Sequence, residues 1–448
     1  MAAMKCTTLS LVALLCAGCA SSPASGLARL LPVGDGPAQV SALVVDLDTG
    51  EVLFAREPRR LFRPASTMKL LTTAAVCRRD LAGNLTTRLV ADAVPRGHVR
   101  LVGGCDPMLS SDDLRAMAAE LHRAGLRHAH GPIVVEDPLL GEPRFGAGWM
   151  WDDEPSPFQP PTSGITVDAA CVTVELRAAD GEPEVRVLPV AGELEVAYTP
   201  VEGAFSVRRG RYRRPNRVVA TGSLADGKTT ARERITVPDP ARHAGYVLVE
   251  ALRAAGVTVD DRVSVEVVGP GRGRAAGVAA ESVRVRPLAE VVTFTNKVSD
   301  NLGAEHLQRH VGRAAVCADL QELGVGERGY RIADGSGVSH YNLLSADILV
   351  RELVAMHRLG GRAFEVFRGS LPVAGVDGTL RSRMRGTAAE GRVFAKTGTI
   401  SAVSNLAGYV DTLSGRRLAF AILCQHFVGS ARRWRDLQDR FCAELATW

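Results

Sequence analysis

The periodicity of apolar and polar positions divides this chain into three textures. Residues 40–47 and 51–54 are β-rich runs around the turn Asp48-Thr49-Gly50, which predicts a hairpin. Pro64 marks a turn. From Ser66 the good helix formers Met68, Leu70 and Leu71, with the small Ala74 and Ala75, predict a closely packed helix. From about 85 to about 286 alternating runs dominate, at 165–176, 184–188, 194–198, 217–221 and 263–268, with turn pairs such as Asp180-Gly181 between them. That stretch reads as mostly β, with helices near 112–124 and 240–255. The helical period returns at 288 and is clearest over 301–310 and 345–357. Two strands, 404–412 and 417–424, then join at Ser414-Gly415, and a last helix from Ser430 places Trp434, Leu437, Phe441 and Leu445 on one face.

With 448 residues, 46% of them apolar, the chain has material for two or three domains with sizeable cores. The net charge of +5 is small, and 5% aromatics is sparse for stacking on bases, so no nucleic-acid partner is expected. The basic run 208–217 reads as a solvated loop, with an anionic polymer as the lesser option.

The N-terminus reads as an export signal: Lys5, then a mostly apolar run 7–18, too short to span a bilayer. Cys16-Ala17-Gly18-Cys19 resembles a lipoprotein processing site with Cys19 as the acylated residue, although Cys16 stands where leucine is usual. Ordinary cleavage near Ala20 is the alternative. The expected organisation is a signal peptide 1–19, a tether 20–35, a first catalytic piece 36–84, an inserted β-rich region 85–286, and a second catalytic piece 287–448. The protein would then be exported, periplasmic, and held to the membrane by its lipid alone.

Of the 54 basic residues only five are lysine (Lys5, Lys69, Lys228, Lys297 and Lys396) and the rest are arginine. Arginine stays protonated, whereas a lysine can lose its proton and serve as a base. Lys69 ends Ser66-Thr67-Met68-Lys69, which at helical spacing puts the hydroxyl and the amine on one face. A serine is a poor nucleophile until a base takes its proton. An unperturbed lysine, at about 10.4, must be brought toward 7 to do so, at a cost of roughly 4.6 kcal/mol. Burial or a second cation lowers it, and Lys396 is the candidate cation. Lys396-Thr397-Gly398-Thr399 also offers a charge for a substrate carboxylate, two hydroxyls, and a glycine that would let a substrate backbone approach a strand edge. Between the two lies Ser299-Asp300-Asn301, with Ser299 placed to relay a proton and Asn301 to bind a substrate amide.

The order S-x-x-K, S-D-N, K-T-G resembles that of penicillin-binding proteins and class A β-lactamases. Further stretches extend the likeness: Gly103-Gly-Cys-Asp-Pro107, Gly148-Trp-Met-Trp-Asp-Asp153, Asp334-Gly-Ser-Gly-Val-Ser339 and Leu371-Pro-Val-Ala-Gly-Val-Asp-Gly-Thr-Leu380. The chain is similar to the D-alanyl-D-alanine carboxypeptidase/endopeptidases of the class C low-molecular-mass penicillin-binding proteins, the S13 peptidases. Cys105 departs from the glycine expected there. The resemblance implies an α/β (α+β) serine β-lactamase/transpeptidase-like catalytic domain, an antiparallel sheet flanked by helices, with the long insertion typical of the group. It implies Ser66 as nucleophile, Lys69 as base, and Ser299, Asn301 and Lys396 as further catalytic residues. Asp300, Thr397, Gly398 and Thr399 would bind substrate, and the N–H groups of Ser66 and Thr399 would form the oxyanion hole. Peptidoglycan stem peptides are the implied substrates and β-lactams the covalent inhibitors, with no cofactor and no metal.

Rival readings are a β-lactamase-like hydrolase and a non-catalytic cell-wall-binding or β-lactam-sensing module. No E-x-x-L-N element lies between Asn301 and Lys396 to supply the deacylating glutamate of class A enzymes. Gly222 to Thr229 satisfies a phosphate-loop pattern, but 235–237 alternates like a strand and Pro238 stops it, so strand, turn, strand is expected. His306 and His310 read as packing or surface residues, Ser336 as a turn residue, Lys297 as a helix-face residue. The six cysteines beyond the signal form no C-x-x-C pair and read as small buried residues or as disulfide partners.

Overall fold

The computed structural model of the protein describes residues 23–31, 38–179, 182–190, 194–210, 216–272 and 277–448. The expected signal 1–19 with Cys19, the pair Asp180-Gly181 and part of the run 208–217 lie outside the described residues.

One antiparallel sheet joins the two ends of the chain. Its order is Val393–Ile400, Val403–Asp411, Arg417–Gln425, Gln39–Asp46, Val52–Arg56. Lys396 stands opposite Ala407 and Gly398 opposite Asn405, while Ala42 stands opposite Ile422. The expected hairpin 40–54 and the closing strand pair are both present. Both faces of the sheet are buried. Leu43, Val45, Ala421 and Leu423 enter one core, and Ala42, Val44, Phe420 and Ile422 enter the other. Strands buried on both faces carry continuous apolar runs, which 418–424 shows.

The first core is built around the helix Lys69–Arg79, in which every residue from Lys69 to Cys77 is buried. A helix buried all round needs neighbours on every side. Leu288–Lys297, Asn301–Val311, Ala346–Leu359 and Gly361–Ser370 supply them. Its far end is tied by Arg78 to Glu352 at 2.6 Å. The second core packs the terminal helix Arg432–Ala446 through Trp434, Leu437, Phe441 and Leu445.

The expected tether is corrected in part. Pro23–Leu30 is a helix, and Leu27 and Leu31 are fully buried against the terminal helix. Leucines four apart give a short helix one apolar stripe, which is enough to dock it.

The stretch between the catalytic pieces is corrected as well. It holds a mixed sheet in the order Val265–Val268, Ile133–Glu136, Val99–Val102, Asn84–Ala91, Ala280–Pro287, whose first three strands are parallel. Ser111–Arg123 and Pro240–Ala254 pack on it around a core of their own. Four-residue strands such as Val99–Val102 and Ile133–Glu136 carry too few positions to show a period, whereas the run 263–268 and the helices near 112–124 and 240–255 match the expected elements. The β-rich texture belongs to a smaller nested unit, 171–237, with two three-stranded sheets and a separate core. Arg217–Ser223 and Thr230–Thr236 flank the phosphate-loop-like segment, so strand, turn, strand holds; the two strands belong to different sheets and do not form a hairpin. The six cysteines among the described residues are all free.

Leu27→Ala removes a fully buried side chain and should lower the unfolding free energy by about 2–5 kcal/mol in a denaturant titration. A stability equal to wild type would mean that the segment is a tether after all.

Candidate active site

Pro64 ends the extended approach, and Ala65–Met68 forms one 3₁₀ turn that leads into the helix Lys69–Arg79. Ala65 holds φ +46, a left-handed conformation costly for a residue with a Cβ. Two contacts keep it there. The Asn405 side-chain amide donates to the carbonyls of Arg63 and Pro64, each at 2.9 Å. Gly337, at φ +85, presses against the Ala65 carbonyl so closely that a Cβ could not fit. Ser66 is thus set half-buried at the start of the helix.

Lys69 is fully buried, and its ammonium has three acceptors. They are Ser66 Oγ at 3.0 Å, Asn301 Oδ1 at 2.5 Å and the Ser336 carbonyl at 2.7 Å. An ammonium has three N–H donors, so none is left over. Lys396 is also fully buried and donates to Ser299 Oγ at 2.9 Å and to the Thr397 carbonyl at 3.1 Å. Ser299 holds φ +62, and Asp300 N donates to Thr295 O, so the turn presents its hydroxyl to Lys396. The structure therefore gathers Ser66, Lys69, Ser299, Asn301 and Lys396 into one cluster.

Burial brings Lys69 down to about 8, against the pull of Asp300, Asp334 and Glu305, which raise it. Burial also drives Lys396 well below its ordinary value, and the Lys69 charge pushes it further. Of the two expected causes, burial lowers Lys69 and Lys396 does not, so the lysine stays mostly protonated at pH 7.

Other assignments change. Asp300 accepts from Gly303 N and caps the helix Asn301–Val311, so its carboxylate serves the helix and is turned away from substrate duty. Asn301 has both ends engaged, its amide donating to the Phe158 carbonyl. A Cβ on Gly398 would lie 2.7 Å from Pro64 O and 3.1 Å from Ser66 N, so the glycine makes room for the serine turn and not for a substrate backbone. Lys297 donates to Asp377 and to the Leu371 carbonyl, each at 2.6 Å, and so fastens the turn before Ser299 to the segment that lines the edge strand. His310 pairs with Asp80, and His306 is buried.

Val393–Ile400 is the outer strand of its sheet. Residues 372–374 cover the first half of its free edge, with Ala395 N donating to Pro372 O at 2.9 Å. Thr397 and Thr399 follow at the strand period of two, so their N–H groups face the same edge beyond the cover. Thr397 Oγ1 meets Thr379 Oγ1 at 2.9 Å, and Thr399 is exposed.

Several residues escaped the sequence reading. Glu305 Oε1 accepts from Gly335 N and Ser336 N, each at 3.0 Å. Asp334 takes Gly337 N and Asn342 Nδ2 on one oxygen, and Ser339 N and Trp149 Nε1 on the other. Together they hold the loop whose Ser336 carbonyl meets Lys69. The stretch 334–339 was visible as a resemblance, and Glu305 lies one helical turn beyond Asn301, but neither carries a spacing signal of its own.

Comparison with known proteins follows this geometry. The model of the D-Ala-D-Ala carboxypeptidase 3 (S13) family matches residues 28–445. A D-alanyl-D-alanine carboxypeptidase of Actinomadura sp. (strain R39) is 36% identical over 443 residues, 91% of this chain and 81% of that protein. The D-alanyl-D-alanine carboxypeptidase DacB of Haemophilus influenzae is 25% identical over 88% of this chain and 86% of that protein. In fold, the chain is similar to the crystal structure of penicillin binding protein 4 (dacB) from Haemophilus influenzae, with TM-score 0.78 at 22% identity, covering 95% of this chain and 99% of that one.

Gly398→Ala tests the close approach of strand and serine turn. The added methyl should displace Ser66 from the edge strand and slow its acylation roughly 10- to 100-fold, as measured by the rate of labelling with a fluorescent penicillin. An unchanged rate would show that the glycine does not set this distance.

Proposed function

The chain belongs to the D-Ala-D-Ala carboxypeptidase 3 (S13) family, and from that premise we propose how its site cleaves peptidoglycan stem peptides as a serine DD-peptidase. The observation that carries the proposal is the buried Lys69 ammonium within hydrogen-bond reach of Ser66 Oγ. Neutral Lys69 takes the hydroxyl proton as Ser66 attacks the carbonyl of the penultimate D-alanine. The N–H groups of Ser66 and Thr399 receive the oxyanion. The peptide lies along the free edge at Thr397–Thr399, and its terminal carboxylate meets Lys396 with the hydroxyls of Thr397 and Thr399. A carboxylate there would favour the protonated form of Lys396, reversing part of the depression it feels in the free enzyme. Ser299 relays the proton that Lys69 took from Ser66 to the departing D-alanine amine, which returns Lys69 to its neutral form, while Lys396 keeps its own proton on the carboxylate and its bond to Ser299. Water then hydrolyses the acyl-enzyme. A β-lactam acylates the same serine and stays.

We also infer export, with acylation at Cys19. The small residues before that cysteine support this, and the helix Pro23–Leu30 begins only four residues beyond it, which would hold the body close to the bilayer. No described helix is long and apolar enough to cross a membrane.

A fluorescent penicillin should label the wild type and leave Ser66→Ala unlabelled, with D-alanine release from a pentapeptide following the same pattern. Lys69→Ala should slow acylation roughly 10²–10⁴-fold. Because Lys69 is depressed only to about 8, the wild-type acylation rate should climb with pH about tenfold per unit below that value and level off above it. Equal labelling of wild type and Ser66→Ala would end this reading.

For the anchor, growth with a radioactive fatty acid should label the mature protein and not Cys19→Ala. An unlabelled wild type would leave export without a lipid.

A further inference from the structure

We propose that Glu305 is a positioning residue that keeps Lys69 a strong base, by holding the Ser336 carbonyl on the lysine and by placing a carboxylate charge behind it. This rests on the reading of Lys69 as the base for Ser66.

Glu305 is fully shielded on the helix Asn301–Val311, four residues after Asn301. The two therefore reach the lysine site from one helix face. Asn301 touches Lys69 directly through Oδ1. Glu305 touches it through the loop: Oε1 receives Gly335 N and Ser336 N, and the carbonyl of that same Ser336 receives Lys69 Nζ at 2.7 Å. Thr72 Oγ1 donates to the Gly335 carbonyl at 2.8 Å, so the loop is pinned to the lysine helix as well. One carboxylate oxygen thus fixes the last acceptor of the ammonium.

Its charge has a second effect. Burial makes a lysine easy to deprotonate, but the neutral amine so formed is a correspondingly weak base. Three carboxylates oppose burial at Lys69: Asp300, Asp334 and Glu305. Asp300 is committed to a helix cap and Asp334 to four donors, so neither charge can be removed without loosening backbone. Glu305 differs. Its Oε2 meets the half-buried Arg309 at 3.3 Å, and the carboxylate also meets the Ser336 side chain. Burial and then the Asp334 charge raise Glu305 to about 7, while its bonds to Ser336 and the Arg309 charge pull it back. Around Lys69 the remaining charged group is Lys396. The same burial pushes both groups toward their neutral forms, so their titrations are linked.

Glu305→Gln separates the two roles. The amide oxygen can accept both N–H groups, so the loop stays, while the charge goes. The midpoint of the acylation pH profile should fall by about half a unit to one unit. The rate near pH 6, where Glu305 of the wild type already carries its proton, should stay within about twofold, while the high-pH plateau should drop, so that the two profiles meet at low pH and part above it. A merely structural defect would lower the rate at every pH without moving the midpoint, and that result would overturn the proposal. Should the variant fail to fold, the wild type still decides. With ¹⁵N-lysine labelling, the Lys69 Nζ shift should follow a second, lower titration besides its own, and a curve with one titrating group overturns the idea. Loss of penicillin labelling in the wild type would instead defeat the underlying reading of the base, which the nitrogen titration does not depend on.

Discussion

A buried ammonium with all three of its donors satisfied is the constraint around which this molecule is arranged. Leaving an ion such as Lys69 uncompensated inside a protein costs several kcal/mol. Its three acceptors come from Ser66, Asn301 and Ser336, which lie in three distant parts of the sequence. Bringing them to one nitrogen requires the central helix, the helix that follows Ser299, and the loop 334–339 to pack in a single way. The apolar core supplies the driving force for that packing, and the polar contacts select the arrangement. The same dry setting lowers the lysine toward a usable base, so the cost of burial and the activation of the serine have one origin.

Strain is concentrated beside the chemistry. Ala65 and Ser299 flank the two lysine contacts, and both hold positive φ without being glycine. Each is over-determined by its surroundings: the Asn405 amide and Gly337 hold the first, and the Thr295 carbonyl and Lys396 hold the second. Gly398 belongs to this account. Its missing side chain admits the backbone of the serine turn, which is what brings the edge strand against the nucleophile. A rigid cluster beside an edge left partly unpaired is the combination a hydrolase of extended peptides needs.

The cluster was legible because the chain avoids lysine. Where arginine does the ordinary work, Lys69 and Lys396 stand out, and Ser66 one turn before the first and Thr397-Gly398-Thr399 after the second give them meaning. What stayed hidden acts through backbone. Glu305 and Asp334 bond to N–H groups of a loop, and any sequence with a loop there would offer those groups. Asp300 was misassigned for a related reason: a motif position says that a residue matters without saying whether it faces substrate or its own helix. The terminal strands and helix were readable from long runs of apolar positions. The strands Val99–Val102 and Ile133–Glu136 were not, since four residues are too few to show an alternation.

The contacts of the inserted stretch bear on what it does. From the loop between Ile133–Glu136 and Cys171–Arg177, Trp149 donates to Asp334, Ala147 accepts from Ser339, and Phe158 offers its carbonyl to Asn301. Asp334 holds the loop that meets Lys69, and Asn301 is itself a Lys69 acceptor. A catalytic half stripped of this stretch would leave the Asn301 amide without its carbonyl and Asp334 with one donor fewer, next to a buried charge. Unsatisfied polar groups in that position cost about 1–3 kcal/mol each and would be relieved by movement of the very atoms that must stay still. The insertion therefore completes the second layer of the lysine site, which gives the two halves of the chain a reason to fold around it and not merely beside it.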